Sequence, residues 1–325
     1  MSPQAVRTAS ATAFSSSNAA RKLPVTVIVP TKDEVANIAK CLESLARAER
    51  VIVVDSASAD GTVEISNRLG AEVVQFGYRG GLPKKRQWVL NSQRIKTPWT
   101  LLVDADEVVP EKLWQEIAAA IKNPRPASGY LIRKGFCFMG RRFRFGGFSH
   151  DAVLLFQTGR ARFEQLDELA DTGLDMEVHE RLIVDGTVGR LRTPLIHEDL
   201  KGLAAYIDRH NRYSSWEAAV RTHFLETGSW GSDAIRPRLT GNVQERRRFL
   251  KQIACRLPAE HWCWFFYHYL LRLGCLEGRP GLIASRLRSQ YIADVRAKME
   301  EIGRRRVVQK HFRGAVAETC DDISA

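Results

Sequence analysis

The sequence predicts an α/β protein: a mostly parallel β-sheet with helices on both faces, followed by a helical C-terminal region. Three observations carry this. Over about the first 120 residues, short β-branched apolar runs alternate with segments whose apolar residues recur at helical spacing, the pattern of a parallel sheet with crossover helices. The runs end in polar or acidic turns, the places where such sheets put ligands. Beyond Leu200 the spacing becomes helical throughout.

Order begins at Leu23. Val25 to Val29 is a β-branched run that stops at Pro30, hence a buried strand. Thr31, Lys32, Asp33 and Glu34 have the form of a capping box, and Val35, Ile38, Leu42 and Leu45 follow at helical spacing. Val51 to Val54 is a second strand ending in Asp55, with a polar turn to Gly61 and a helix carrying Val63, Ile65 and Leu69. Ala71 to Phe76 is a third. After the loop from Gly77 to Gly81, Lys84 to Asn91 reads as a helix with a basic first turn. Cations there oppose the helix dipole, so they are expected to face an anion. A fourth strand, Trp99 to Val103, ends in Asp104, Ala105, Asp106 and Glu107. Closely spaced carboxylates at a strand's carboxyl end can hold a hard divalent cation; an acidic turn capping the helix that starts near Pro110 is the plainer alternative.

The rhythm then changes. Gly129 to Arg133, Phe136 to Met139, Ala152 to Phe156 and Arg181 to Val184 are short strand candidates, with the basic aromatic stretch Arg141 to Phe148 among them. Near the end, the aromatic run His261 to Leu271 is bordered by Arg256 and Arg272. It suits a helix lying among lipid headgroups, and equally a helix packed on the main domain or in a dimer interface.

Composition narrows the classes. The chain has 325 residues, 44 % hydrophobic and 26 % charged, which excludes a disordered protein. The net charge of +12 points to an anionic partner: nucleic acid, a nucleotide diphosphate or an acidic membrane face. No stretch approaches the roughly 18 consecutive apolar residues of a membrane-spanning helix. The Ser- and Ala-rich first residues lack the apolar core of a secretory signal. Six cysteines without metal-ligand spacing suggest a reducing compartment. A cytoplasmic protein is expected, peripheral on the cytosolic face of an inner membrane if it touches lipid at all.

Pro30, Thr31 and Glu34 after the first strand, Asp55 after the second, Lys84 and Lys85 with Asn91, and Asp104 and Asp106 after the fourth together resemble glycosyltransferase family 2. Val178 to Arg181, Leu195 to His197, Tyr206 to Tyr213 and Leu273 to Gly281 look more narrowly like its lipopolysaccharide-core β-glucosyltransferase group. The resemblance covers roughly Val25 to Tyr291. It implies a GT-A fold over residues 23–200, after a tail over residues 1–22 and before a helical region over residues 201–325. It also implies an inverting transfer of a hexose, glucose first, from a UDP-sugar donor to a hydroxyl of a glycolipid or oligosaccharide acceptor.

The implied roles follow residue by residue. Asp55 accepts from the uracil imide, or caps its turn, or both. Pro30, Thr31 and Glu34 border the nucleoside, and Lys84 and Lys85 approach the base or the diphosphate. Asp106 ligates Mg²⁺ or Mn²⁺, with Asp104 at the ribose or behind the metal, and His197 reaches the metal or diphosphate. Inversion needs one general base opposite the leaving group; Glu180 is preferred over His179, with Asp175 and Glu177 nearby. Asp151 resembles an acceptor-side acid, although Leu154, Leu155 and Phe156 depart from the group's Arg-Leu-Phe. The processive synthases' Gln-x-x-Arg-Trp motif is missing, so one sugar per encounter is expected. Transfer to polyprenyl phosphate is the alternative. A nucleic-acid-binding module explains the charge but gives the four carboxylates no purpose, so no nucleic-acid partner is expected. A nucleotidyltransferase would carry a glycine-rich loop where Pro30 to Glu34 stands.

Overall fold

The computed structural model describes residues 22–165, 181–230, 235–241 and 243–321. The first unit runs β1 (Leu23–Thr31), α1 (Ile38–Glu43), β2 (Ala48–Asp55), α2 (Thr62–Arg68), β3 (Glu72–Gln75), α3 (Lys85–Asn91) and β4 (Trp99–Leu102). It continues with β5 (Glu107–Val108), α4 (Glu111–Lys122), β6 (Gly129–Phe138), β7 (Arg141–Arg142), β8 (His150–Gln157) and β9 (Ala161–Phe163). β10 (Leu182–Val184), β11 (Val188–Arg190) and β12 (Leu195–His197) complete the strands. Helices follow: α5 (Gly202–Thr227), α6 (Val243–Ala254), α7 (Glu260–Phe266) and the long α8 (Gly278–Asp321).

The main sheet has the order β3-β2-β1-β4-β8-β6-β12-β5, with β7 and β11 also paired to β6. Its first four strands are parallel, and β8 runs antiparallel between β4 and β6. This is the α/β architecture the alternation predicts. The β-branched runs vanish into it because both faces of a parallel sheet are covered: Val25, Val27, Ile28, Val29, Ile52 and Val53 are fully buried. The side of α4 formed by Leu113, Trp114 and Ile117 is also buried, each side chain contributing about 1.5–3 kcal/mol of apolar burial.

Register places the site. Thr31 lies opposite Asp55 and Asp55 opposite Gln75, so the acidic and hydroxylic ends of β1, β2 and β3 sit level. The two-residue β5 pairs antiparallel with β12, setting His197 opposite Glu107, while β12 runs parallel to β6. A histidine far along the chain is thereby delivered to the acidic turn after β4.

Some expectations are corrected. Thr31 to Glu34 is not a capping box: Thr31 is the last residue of β1, its hydroxyl donates to Asp55, and α1 begins only at Ile38. The acidic turn does not cap α4, whose N-cap is Pro110; Glu107 belongs to β5. The two strand candidates Gly129 to Arg133 and Phe136 to Met139 are one ten-residue strand, β6, because β8 pairs along most of its length.

The helices after Gly202 are tied by charge as well as by apolar contact. Arg221 of α5, almost fully buried, bonds Glu217 and both carboxylate oxygens of Glu260 on α7. Lys251 of α6 lies 3.0 Å from Glu217, and the Tyr291 hydroxyl of α8 donates to it. Four helices thus share one satisfied ionic knot. The run His261 to Leu271 becomes α7 and a π-helical turn, Tyr267–Leu271. His268 is buried there, whereas Trp262, Phe266, Leu270 and Leu271 stay exposed. The described cysteines are free thiols, and no described helix is long and apolar enough to cross a membrane.

Candidate active site

A cleft of ≈ 2010 Å³ opens at the carboxyl ends of β1, β2 and β4 and extends to the C-terminal helices. Pro30, Thr31, Glu34, Lys85, Asp104, Asp106, Asp151 and His197 all line it. The structure therefore brings together most of the residues singled out in the sequence. His179 and Glu180, with Asp175 and Glu177, lie outside the described residues.

Asp104 and Asp106 emerge from one turn into opposite surroundings. Asp104 receives Arg86 at 2.5 Å on one oxygen and Lys134 at 2.6 Å on the other. Burial alone would raise its carboxyl, but the two cations hold it well below the usual carboxylate range. Lys134 also lies 2.9 Å from the fully buried Glu107. Burial pushes Glu107 up despite that cation, while its other oxygen accepts the backbone N–H of Asp104 and fixes the turn. Asp106 faces His197, Nε2 to Oδ2 3.2 Å. Burial would lower the imidazole, but the charge and hydrogen bond of Asp106 raise it to about 9, and Asp106 is lowered in return.

At the carboxyl end of β2, Asp55 is fully buried. It accepts from the Thr31 hydroxyl at 3.0 Å, the Ser58 backbone at 2.9 Å, the Ser58 hydroxyl and Gln75. Its capping role is therefore present, and an incoming imide would have to share or displace one of these donors. Glu34 accepts from Asn37 at 2.9 Å and Lys201 at 2.6 Å, and burial raises its carboxyl beyond what those donors offset. The basic turn of α3 points inward. Lys85 donates to the Thr31 carbonyl at 2.7 Å, Lys84 lies 5.4 Å from the Trp216 ring centroid, and Arg86 holds Asp104. Asp151 is engaged by Arg133 at 3.3 Å and by Arg190.

Asp106 and His197 offer a hard carboxylate oxygen and an imidazole nitrogen side by side. No cluster of three or more potential ligating residues forms among the described residues. Mg²⁺ and Mn²⁺ are commonly held by one or two protein ligands, with substrate phosphates and water completing the shell, so this pair fits such an ion. Arg86, Lys134 and Lys201 are the partners sequence reading missed. Arg86 belongs to the recognised basic run. Lys134 carries no sequence signal, because it reaches Asp104 only through the pairing of β6 with its neighbours.

The sequence pattern of Glycosyl transferase family 2 matches residues 26–188, half of the chain, and the chain belongs to that family. The chain is 26 % identical over 207 residues to the lipopolysaccharide core biosynthesis glycosyltransferase LpsC of Rhizobium meliloti (strain 1021), covering 61 % of this chain and 71 % of that protein. It is 36 % identical over 94 residues to an uncharacterized glycosyltransferase of Rickettsia felis, covering 29 % of this chain and only 32 % of that protein. Among solved structures, the mannosyltransferase PcManGT of Pyrobaculum calidifontis, in complex with GDP-Man and Mn²⁺, aligns over 87 % of this chain and 88 % of its own at 17 % identity with a TM-score of 0.45.

Proposed function

We propose that the protein transfers one hexose, glucose first, from a UDP-sugar to a hydroxyl of a glycolipid or lipopolysaccharide-core acceptor, with inversion and with help from a divalent metal. The observation that carries this is the convergence of Asp104, Asp106 and His197 with the cations Lys85, Arg86 and Lys134 in one cleft at the sheet's carboxyl edge. Such an array suits a nucleoside diphosphate. Asp55 and Thr31 meet the base, Asp104 the ribose, and the surrounding cations offset the phosphates' charge. Mg²⁺ or Mn²⁺, held by Asp106 and His197, would stabilise charge on the departing diphosphate.

Inversion calls for a general base, and the family resemblance gives that role to Glu180, which takes the acceptor proton as the acceptor oxygen attacks the anomeric carbon and the bond to the diphosphate breaks. Residues 23–200 carry the donor site, and residues 201–325 complete the cleft on the acceptor side. Release of UDP from a panel of UDP-sugars, with and without detergent-solubilised lipid acceptor and divalent metal, tests the reading. Metal-dependent release from UDP-glucose, stimulated by acceptor, is expected. Full activity of Glu180→Gln would remove the base and favour polyprenyl phosphate, an acceptor that is already a nucleophile. Binding of RNA or DNA without hydrolysis of any UDP-sugar would contradict the whole assignment.

A further inference from the structure

Beside the cleft lies a second groove of ≈ 780 Å³, whose lining contains no acidic residue. Arg133, Arg142, Arg144 and Arg272 line it, together with Phe145, Leu271 and Leu273. Arg133 also pairs with Asp151 at the edge. Among the described residues no carboxylate meets Arg142, Arg144 or Arg272.

The groove is built into the fold. The Gly146 backbone N–H donates to the Arg272 carbonyl at 2.7 Å, and His268 Nδ1 meets the Gly146 carbonyl at 2.6 Å. Gly147 lies at φ +69°, where an added Cβ would fall 2.8 Å from Arg272 Nε, so the arginine rests directly on glycine backbone. The buried Glu277 accepts the backbone N–H groups of Arg144 and Phe145 and the Arg141 guanidinium. That carboxylate is thus spent on holding the Arg141 to Phe145 segment in place.

Large apolar side chains that line this basic groove are exposed: Leu271 is 77 % exposed, Leu273 46 % and Phe145 41 %. Exposed apolar groups clustered in this way mark an interaction surface. Arginines and exposed leucines on one face match a surface that is anionic outside and apolar within. A second copy of the chain fits poorly, because two-fold pairing of this face would set the same arginines against each other.

We propose that this face docks onto an anionic lipid bilayer, with Arg142, Arg144 and Arg272 on headgroup phosphates and Leu270, Leu271 and Leu273 entering the acyl boundary. Arg133, Ser149, Leu271 and Arg272 line both the groove and the catalytic cleft. A lipid-held acceptor would therefore enter the cleft straight from the membrane. This last step rests on the transferase reading; the docking does not.

The test is co-sedimentation of the full chain with phosphatidylcholine vesicles, with and without phosphatidylglycerol, at low and high salt. The expected result is salt-sensitive binding to the anionic vesicles alone. Arg142→Ala with Arg144→Ala should weaken it about five-fold for each arginine. Leu273→Asn, which suits the left-handed backbone at φ +58°, should weaken it at least about threefold. Both variants should leave donor hydrolysis unchanged. No binding, or equal binding to neutral vesicles with the arginine variant unaffected, would overturn the proposal. So would its abolition by millimolar inorganic phosphate, the mark of a soluble-phosphate site, or a concentration-dependent dimer that Leu273→Asn dissolves. Vesicle binding without any sugar transfer would instead leave the docking intact and sink the transferase reading.

Discussion

Asp104 and Asp106 are separated by one residue and stand in unlike surroundings, set by what the fold places against each. Asp104 is pinned between Arg86 and Lys134; Asp106 faces His197, which could share a metal with it. Asp106→Asn should therefore cut UDP release at least about 100-fold, read in a metal-saturated assay, while the melting temperature moves little. Lys134→Met should, by contrast, lower stability as well. It leaves the buried Glu107 without its cation and Asp104 with Arg86 alone, and should cost about 3 kcal/mol in urea unfolding. Glu180→Gln should lower kcat by about 10²–10⁴-fold with KM for the donor little changed. The carboxylates and His197 were legible because acidic residues at strand ends and the family motifs mark them. Lys134 was not, since a lysine inside a long strand is ordinary until β6 is paired.

At the scale of elements, the strands were legible from their apolar runs, but the helical caps and pairings were not. Thr31 and Glu34 match a capping box in letters, yet Thr31 is drawn to Asp55 and Glu34 to Lys201 by neighbours distant in sequence. The same holds for the knot joining α5, α6, α7 and α8. Arg221→Met would strand Glu260 in the interior, leaving Glu217 with Lys251 and Tyr291, and should destabilise the helical region by about 3–5 kcal/mol, read as a lowered unfolding midpoint. His268 predicts the pH response of this region. Burial holds its folded value down to about 4, against the ordinary 6.5. Below pH 6.5 the unfolded chain therefore takes a proton that the folded chain refuses. Stability is full above pH 7 and should fall as pH drops from 6.5 towards 4, by up to about 1.4 kcal/mol per pH unit. His268→Gln should flatten that slope.

For the molecule as a whole, the alternation of strands and helices announced the α/β sheet, and the order of motifs announced the family. The antiparallel insertion of β8 and the pairing of β5 with β12 were beyond reach, because strand order depends on long-range register rather than on local spacing. Nor could the sequence separate the inward from the outward half of the aromatic run His261 to Leu271; packing assigns His268 to the interior and Leu271 to the surface. The central claim is that this cleft activates a UDP-sugar through Asp106. It is tested most directly by measuring UDP release from UDP-glucose in the presence of Mn²⁺ and a lipid acceptor, for the native chain and Asp106→Asn side by side. The account predicts acceptor-stimulated release that EDTA and the substitution both abolish; release that survives in Asp106→Asn would contradict it.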